Sequence, residues 1–324
     1  MQYCFYDVLN MLYSKPPISI QDQIDLLKSR GIIFDDEQKA FHQLSTVSYF
    51  RLSAYMLPFK KKEGNKFIDE FKPKTHWRDI YDLYAFDRKL RLLIFDAIEK
   101  IEVAVRCQIV YQLSMKYGSH WQDNSGLFKS AISKINPNGK NYTIDVYSEI
   151  QAHIGEQLRN NKSEKFIQHY NEKYGNPTNP PSWMCVEIMY FSHLSRICSF
   201  LNNRSDITRI ATYFNLPPGT FNSWLHTINY VRNLCAHHAR LWNRDFNIVP
   251  EKLKFSKTKI WISNPDTVQR SKIYYFLCIL NYLLQTINPN SSFKNRLKAL
   301  LTEYCPNLKS MGFPDGWQSE KIWQ

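Results

Sequence analysis

The sequence predicts an all-α helical bundle with additional N- and C-terminal helices. Only 10 of the 324 residues are glycine, whereas β-rich folds and phosphate-binding loops use many. Strand signals are weak and are confined to the short segments 246–249 and 259–263. In the middle of the chain, apolar residues recur at the spacing of one helix face, at positions 83, 86, 90, 93, 94, 97, 98, 101, 105 and 109.

Capping residues and the same apolar spacing define the remaining elements. Ser19 is predicted to cap the first helix, and Gly31 to end it. The longest helix is predicted over 76–117, where Gly118 ends it. Residues 48–55 are predicted as a short helix or a turn. The other predicted helices run from Asp35 or Asp36 to Val47, twice within 143–173, and over 182–201, 206–214, 221–242, 269–287 and 292–304. The polar stretches 60–74 and 119–142 are predicted as loops.

We divide the chain into three parts from these elements. They are an N-terminal helical subdomain over 1–75, a helical core over 76–250, and a basic C-terminal helical segment over 251–324 that packs on the core. The length of 324 residues suits about two domains or one large one.

Cysteine usage and hydropathy predict a cytoplasmic protein with no membrane partner. The seven cysteines are scattered and form no C-x-x-C pair, which argues against a disulfide scaffold and a cysteine zinc site. The apolar run from Ile273 to Leu284 is interrupted by Asn281 and is too short to span a bilayer. We recognise no targeting segment.

The charge balance favours a polyanionic partner. Lys and Arg number 42 against 29 Asp and Glu, a net charge of +13 that suits nucleic acid or anionic lipid. Nine of these cations lie between 251 and 300, with Phe255, Trp261 and Phe293 nearby. Phosphate contacts and base stacking would explain this segment, and a solvated basic surface explains it equally well.

The densest polar chemistry lies near the end of the predicted helix 221–242. Residues 232–244 read RNLCAHHARLWNR and hold three Arg, two His and two Asn. Cations at a helix C-terminus contribute about 1 kcal/mol at most, which explains one or two of these residues but not seven. Cys235 lies on the apolar face, so we interpret it as a core residue.

Helix geometry predicts how this cluster is divided. At about 100° per residue, Asn233 and His237 share a face, and Arg240 and Arg244 continue the same stripe. Arg232 lies about 140° away from His237. A site that uses both residues would need either two copies of this helix that meet or a helix that deforms, and we expect a composite site across a dimer.

Arginine and histidine together suit the cleavage of an RNA phosphodiester. Histidine titrates near pH 6.5 and can accept or deliver a proton, while arginine presents a forked cation to the phosphate. The RNA supplies its own nucleophile, the 2′-hydroxyl, so no metal and no cofactor are needed. His237 and His238 are adjacent and diverge by about 100°, whereas a helical zinc pair needs four-residue spacing.

Several segments together resemble the Abi_2 group of bacterial abortive-infection proteins, the AbiD- and AbiF-like phage-resistance family. They are YFRLSAY at 49–55, YAFDRKLR at 84–91, IEKIE at 98–102, PSWM at 181–184 with Glu187, and the run 232–244. Arg232, Asn233 and His237 also match the R-N-x-x-x-H signature of HEPN-type ribonucleases. The resemblance implies a HEPN-like helical bundle and a toxin-like, metal-independent endoribonuclease. It also implies a homodimer and control by a small non-coding RNA.

These arguments assign roles to eight residues. Arg232 and His237 are the predicted catalytic residues; His238 fits a looser form of the signature and is the alternative catalytic histidine. The predicted supporting residues are Asn233, His238 and Glu187, and the predicted RNA-binding residues are Arg240, Asn243 and Arg244. A non-catalytic RNA-binding regulatory protein, or a ribonuclease held inactive by a bound small RNA, is the alternative function.

Overall fold

The computed structural model describes residues 14–136, 138–256 and 258–324. The chain forms two compact units, one up to Ala85 and the other from Phe86 onward. The boundary falls inside the longest helix. The three-part division at 75/76 and 250/251 stays a prediction.

Twelve α-helices make up most of the part of the chain that the structure describes. The predicted helical architecture is confirmed. The helices are α1 (Ile20–Ser29), α2 (Glu37–Val47), α3 (Tyr49–Met56), α4 (Trp77–Tyr117), α5 (Val146–Asn160), α6 (Lys165–Lys173), α7 (Ser182–Glu187), α8 (Phe191–Phe200), α9 (Arg204–Tyr213), α10 (Pro218–Ala236), α11 (Ile273–Ile287) and α12 (Phe293–Tyr304).

The fold is not purely all-α, because the described residues also form three small two-stranded sheets. The pairs are β1 (Ile32–Ile33) with β4 (Thr75–His76), which is parallel, and the antiparallel pairs β2 (Lys60–Glu63) with β3 (Lys66–Phe71) and β5 (Ala131–Ile135) with β6 (Asn141–Asp145). The stretch 60–74, predicted as a loop, therefore contains a hairpin. A second hairpin begins in the predicted loop 119–142 and ends at Asp145, inside the segment predicted as helical.

Charged pairs across the strands explain why the first hairpin carries no apolar pattern. Lys60 lies 2.6 Å from Asp69, and Lys61 lies 2.7 Å from Glu70, on strands that are mostly exposed. A strand without a buried face shows no alternation of apolar residues, which is the signal that predicts strands from sequence. The hairpin is set instead by its turn, where Gly64 has φ 58°.

The weak strand signals at two segments do not correspond to strands in the described residues. Neither 246–249 nor 259–263 forms a strand. The N–H of Phe246 donates to the Ser271 carbonyl at 2.8 Å, and the N–H of Ile260 donates to the Gln285 side chain at 2.9 Å. These are single bonds rather than a ladder between strands.

The first unit is built from α1 to α3 and the first turns of α4. Ser19 and Asp22 form a reciprocal capping box at the start of α1, as the sequence predicts for Ser19, and Gly31 follows with φ 99°. Ile24, Leu52 and Ile80 are fully buried in a common core. The Trp77 indole N–H donates to the buried Gln43 amide oxygen at 2.8 Å, so the polar atoms of this core are paired.

The second unit is organised around α10 and α11. α11 is buried over most of its length and packs against aromatic residues near the end of the chain, including Phe313 and Trp323. One face of α10 is also core and contains Trp224, Ile228 and Val231. α8 packs against α10, and α12 is joined to α4 by ion pairs such as Arg296–Asp96 at 2.7 Å.

The segment predicted as one helix over 182–201 is two helices, α7 and α8. Arg106 of α4 causes the interruption by donating to the carbonyls of Val186, Glu187 (2.9 Å) and Met189 (3.1 Å). The guanidinium thereby replaces the helical N–H groups that would otherwise satisfy these carbonyls.

No helix in the described ranges combines the length and apolarity that a membrane crossing requires.

A buried histidine pair lies between α5 and α8. The rings of His153 and His193 stack with their centroids 4.2 Å apart, and the His193 side chain is 9% exposed. Within the described structure, its buried Nδ1 atom has no hydrogen-bond partner. Burial, with a smaller contribution from His153, lowers the pKa of His193 to about 4, although Glu156 opposes the shift.

We expect the free energy of unfolding to fall as the pH drops from about 6.5 to about 4. In this window the unfolded chain binds a proton at His193 and the folded chain does not, which costs up to about 3 kcal/mol. His193→Phe keeps a stacking ring but removes the titration, and urea unfolding at several pH values should show a flatter profile. His169→Phe, at an exposed position on α6, is the control and should keep the profile of the parent protein. An unchanged slope in His193→Phe would contradict this account.

Candidate active site

The helix that carries the Arg/His cluster ends earlier than the sequence predicts. α10 ends at Ala236, with His237 as its C-cap, rather than at residue 242. The N–H of His238 donates to the Cys235 carbonyl at 3.1 Å, and the N–H of Ala239 donates to the Leu234 carbonyl at 2.8 Å. This pair of bonds is the Schellman arrangement that closes a helix.

A non-glycine residue therefore occupies the left-handed position of this helix end. His238 has φ 56°, where glycine is usual because a side chain costs about 1–2 kcal/mol. The chain turns sharply at this residue. Arg240, Asn243 and Arg244 consequently lie in the loop beyond the helix, and the predicted alignment of Arg240 and Arg244 with Asn233 along a helical stripe is wrong.

A buried ion pair on α4 holds the chain after the turn. Asp87 is fully buried, forms an ion pair with Arg91 one turn later, and accepts the N–H groups of Leu241 (3.2 Å) and Trp242 (2.7 Å). Arg91 also donates to the Ala239 carbonyl at 3.4 Å. Both charges are therefore compensated by a partner and by backbone groups of the turn.

Sequence reasoning missed this pair, although the sequence carries a signal for it. Asp87 and Arg91 lie four residues apart on the apolar face of α4, beside the buried Phe86 and Leu90. A carboxylate and a guanidinium at this spacing, on a face that must be buried, indicate a compensated buried pair.

The structure brings Asn233 and His237 together at the exposed end of α10. Both side chains are exposed, and the His237 N–H donates to the Asn233 carbonyl at 2.9 Å, which continues the helical spacing. Arg232 is half-buried and points elsewhere, with its guanidinium carbon 5.7 Å from the centre of the Phe95 ring on α4. The ring face attracts the cation and orients it.

The other predicted site residues lie at different distances from this pair. Arg240, Asn243 and Arg244 are half-buried in the loop beyond His238, and Asn243 has φ 49°. Glu187 is exposed at the end of α7, beside Arg106. Phe95, which contacts Arg232, and Arg106, which contacts Glu187, are eleven residues or about 16 Å apart along α4.

Cys235 is a core residue, as predicted. Its side chain is buried, and burial raises the pKa of its thiol to about 12. The thiol is therefore protonated at neutral pH and is a poor nucleophile. Among the described residues, no three His, Cys, Asp or Glu side chains are grouped so that they could hold a metal ion.

Several cations of the basic C-terminal segment are committed to internal contacts. Lys252 pairs with Asp266, and Lys272 pairs with Asp245 at 2.9 Å. The predicted stacking role of two aromatic residues is wrong, because Trp261 and Phe293 are buried. Phe255, with 67% of its side chain exposed, keeps the accessible ring that base stacking requires.

Removing the Asp87 carboxylate should destabilise the second unit strongly. Asp87→Ala leaves Arg91 buried without its partner and two backbone N–H groups without their acceptor, which costs about 3–5 kcal/mol. In the double variant Asp87→Ala, Arg91→Leu, the free energy of unfolding should fall by less than in Asp87→Ala alone, because no buried charge then remains. Urea unfolding measures both, and Asp82→Ala, at an exposed position of α4, should change stability by less than about 0.5 kcal/mol. A loss in Asp87→Ala no larger than in Asp82→Ala would contradict the anchoring role.

A known family model matches the part of the chain that contains most of the elements described above. A family model with the description "Abi-like protein" matches residues 42–243, from α2 to the loop that follows His238. Neither curated proteins nor solved structures provide a match. The match covers more than half of the chain and includes residues 49–55, 84–91 and 232–243, on which the resemblance was based. The chain therefore belongs to the Abi-like protein family.

Proposed function

We propose that this protein is a cytoplasmic, metal-independent endoribonuclease that acts as a toxin-like effector in bacterial abortive infection against phage. The observation that carries the proposal is the exposed pair Asn233 and His237 at the end of α10, with Arg232 in the same R-N-x-x-x-H sequence. Membership of the Abi-like family supports the defence role. The HEPN-type fold and chemistry rest on the motif.

In the proposed reaction, the 2′-hydroxyl of the RNA attacks the adjacent phosphorus and the 5′-oxygen of the next nucleotide leaves. His237 accepts the proton of the 2′-hydroxyl or delivers a proton to the leaving oxygen. Arg232 neutralises the charge that builds on the phosphate oxygens, and Asn233 orients His237 or a phosphate oxygen. The products are a 2′,3′-cyclic phosphate and a 5′-hydroxyl.

The separation of Arg232 from His237 supports a composite site in a homodimer. The Arg232 guanidinium lies over Phe95, whereas His237 is on the exposed side of the helix end. A twofold axis near α10 would bring Arg232 of one copy to His237 of the other. In this dimer, Glu187 of either copy remains a candidate supporting residue.

The residues beyond the helix end are proposed to hold the RNA backbone. Arg240 and Arg244 supply cations, and Asn243 supplies an amide close to the reacting phosphate. His238 remains the alternative catalytic histidine. A small non-coding RNA bound to the same surface would keep the enzyme inactive until infection.

RNA cleavage should persist in EDTA and leave 2′,3′-cyclic phosphate and 5′-hydroxyl ends. His237→Ala should lower the rate about 10²- to 10⁴-fold, the contribution of one acid–base group. End-labelled RNA resolved on gels, with His169→Ala as the control, measures both. Cleavage that requires Mg²⁺ and yields 5′-phosphates would contradict the mechanism. A larger loss in His238→Ala than in His237→Ala would move the catalytic role to His238, and RNA binding without cleavage would favour the regulatory function.

Mixing two inactive variants tests the composite site. Arg232→Ala and His237→Ala homodimers should each be inactive. After subunit exchange, about half of the dimers are mixed, and one of the two sites in each mixed dimer then has both wild-type residues. We expect roughly a quarter of the wild-type rate. If the mixture stays inactive although exchange is demonstrated by native mass spectrometry, Arg232 and His237 do not act in trans.

A further inference from the structure

A polar groove lies between α8 and α10, on the side of α10 away from the buried core. It has a volume of about 630 Å³. α8 contributes Ser192, Ser195 and Ser199 to one wall, where the Ser199 hydroxyl donates to the Ser195 carbonyl at 2.9 Å, and α10 contributes Asn222, His226 and Asn229 to the other. No Asp or Glu side chain lines the groove in the part of the chain that the structure describes.

The α10 wall of the groove leads directly to the proposed active site. Residues 222, 226, 229, 233 and 237 are spaced by three or four and fall within about 80° on the helix. The groove residues Asn222, His226 and Asn229 thus continue through Asn233 to His237 as one polar stripe. This stripe is about 22 Å long at 1.5 Å per residue.

Packing of the protein itself does not account for this stripe. The opposite face of α10 already provides the core contacts, through Trp224, Ile228 and Val231. The Asn222 side-chain oxygen is buried, and no described residue donates a hydrogen bond to it. A buried acceptor without a partner costs about 1–3 kcal/mol, which a bound ligand that donates a hydrogen bond would recover.

The lining chemistry indicates which class of ligand fits. Serine hydroxyls and asparagine amides both donate and accept hydrogen bonds, which suits the base edges and 2′-hydroxyls of RNA. Arg196 also lines the groove, close to the ring of Phe200, and its charge is compensated by an ion pair with Glu149 of α5. The absence of a carboxylate from the described lining disfavours a metal ion or a basic peptide.

We propose that this groove binds the single-stranded RNA segment that flanks the scissile phosphate and guides it to His237. The inference rests on the proposed ribonuclease function and adds the path of the substrate. A length of about 22 Å accommodates about four nucleotides, the lower end of the site sizes of single-strand-binding folds.

A charge-reversal experiment at Asn229 tests the groove. The full-length His237→Ala protein, which should bind RNA without cleaving it, is titrated against a fluorescein-labelled, unpaired 12-nucleotide RNA. In this background, Asn229→Asp should weaken binding about fivefold and Asn229→Lys should strengthen it by a similar factor, because phosphates pass nearby. Asn171→Asp and Asn171→Lys are the matched controls, on an exposed face of α6 outside the groove, and should change Kd by less than about twofold.

Each outcome decides a specific claim. Opposite shifts at Asn229 that are absent at Asn171 support the groove, whereas equal shifts at both positions, or none at Asn229, overturn it. If the Asn229 variants do not fold, the same pair of substitutions at the exposed His226 replaces them. Failure of the His237→Ala protein to bind the RNA at low salt overturns both the groove and the proposed function. Binding that depends on Asn229, without any cleavage by the wild type, overturns only the ribonuclease proposal.

Discussion

The contact between Asp87 and the chain beyond α10 is the constraint on which the candidate site depends. A fully buried carboxylate is costly unless every lone pair is used, and Asp87 uses them on Arg91 and on the N–H groups of Leu241 and Trp242. The same two side chains therefore compensate each other and fix the course of the backbone. Because the turn is held from α4, His238 can keep its left-handed conformation without glycine.

This turn separates the polar cluster into two groups with different surroundings. Asn233 and His237 remain on the helix and face solvent, whereas Arg240 and Arg244 belong to a loop that is held against α4. Arg232 is oriented by Phe95 on that same helix. α4 thus orients Arg232 and holds the chain that follows the helix end. The geometry of the site depends on long-range contacts rather than on α10 alone.

The positive charge of the chain is used in two ways. Some cations stabilise the fold: Lys252, Lys272 and Arg296 form ion pairs within the second unit. Exposed pairs of this kind contribute little energy individually, but they reduce the local charge available to a polyanion. The net charge of +13 still favours association with a polyanion over longer distances. Specific recognition would then depend on neutral polar groups, such as those that line the groove between α8 and α10.

Local interactions within the sequence are enough to define several helix ends and the longest helix. Ser19, Gly31 and Gly118 set helix ends through capping and backbone conformation, and the apolar spacing located α4. The density of Arg, His and Asn in residues 232–244 also identified the candidate site, because this density can be read from the order of residues without any tertiary contact.

Contacts between residues far apart in the chain set the end of α10, the break in the predicted helix 182–201, and the accessibility of the aromatic residues. Asp87 accepts hydrogen bonds from the N–H groups of Leu241 and Trp242, which lie about 150 residues later in the chain. Arg106 donates hydrogen bonds to the carbonyls between α7 and α8, about 80 residues later. Burial of Trp261 likewise follows from packing against Tyr275 and Tyr282 on α11. Side chains that satisfy backbone groups across such distances leave no periodic pattern near the groups that they satisfy, so local spacing cannot reveal them.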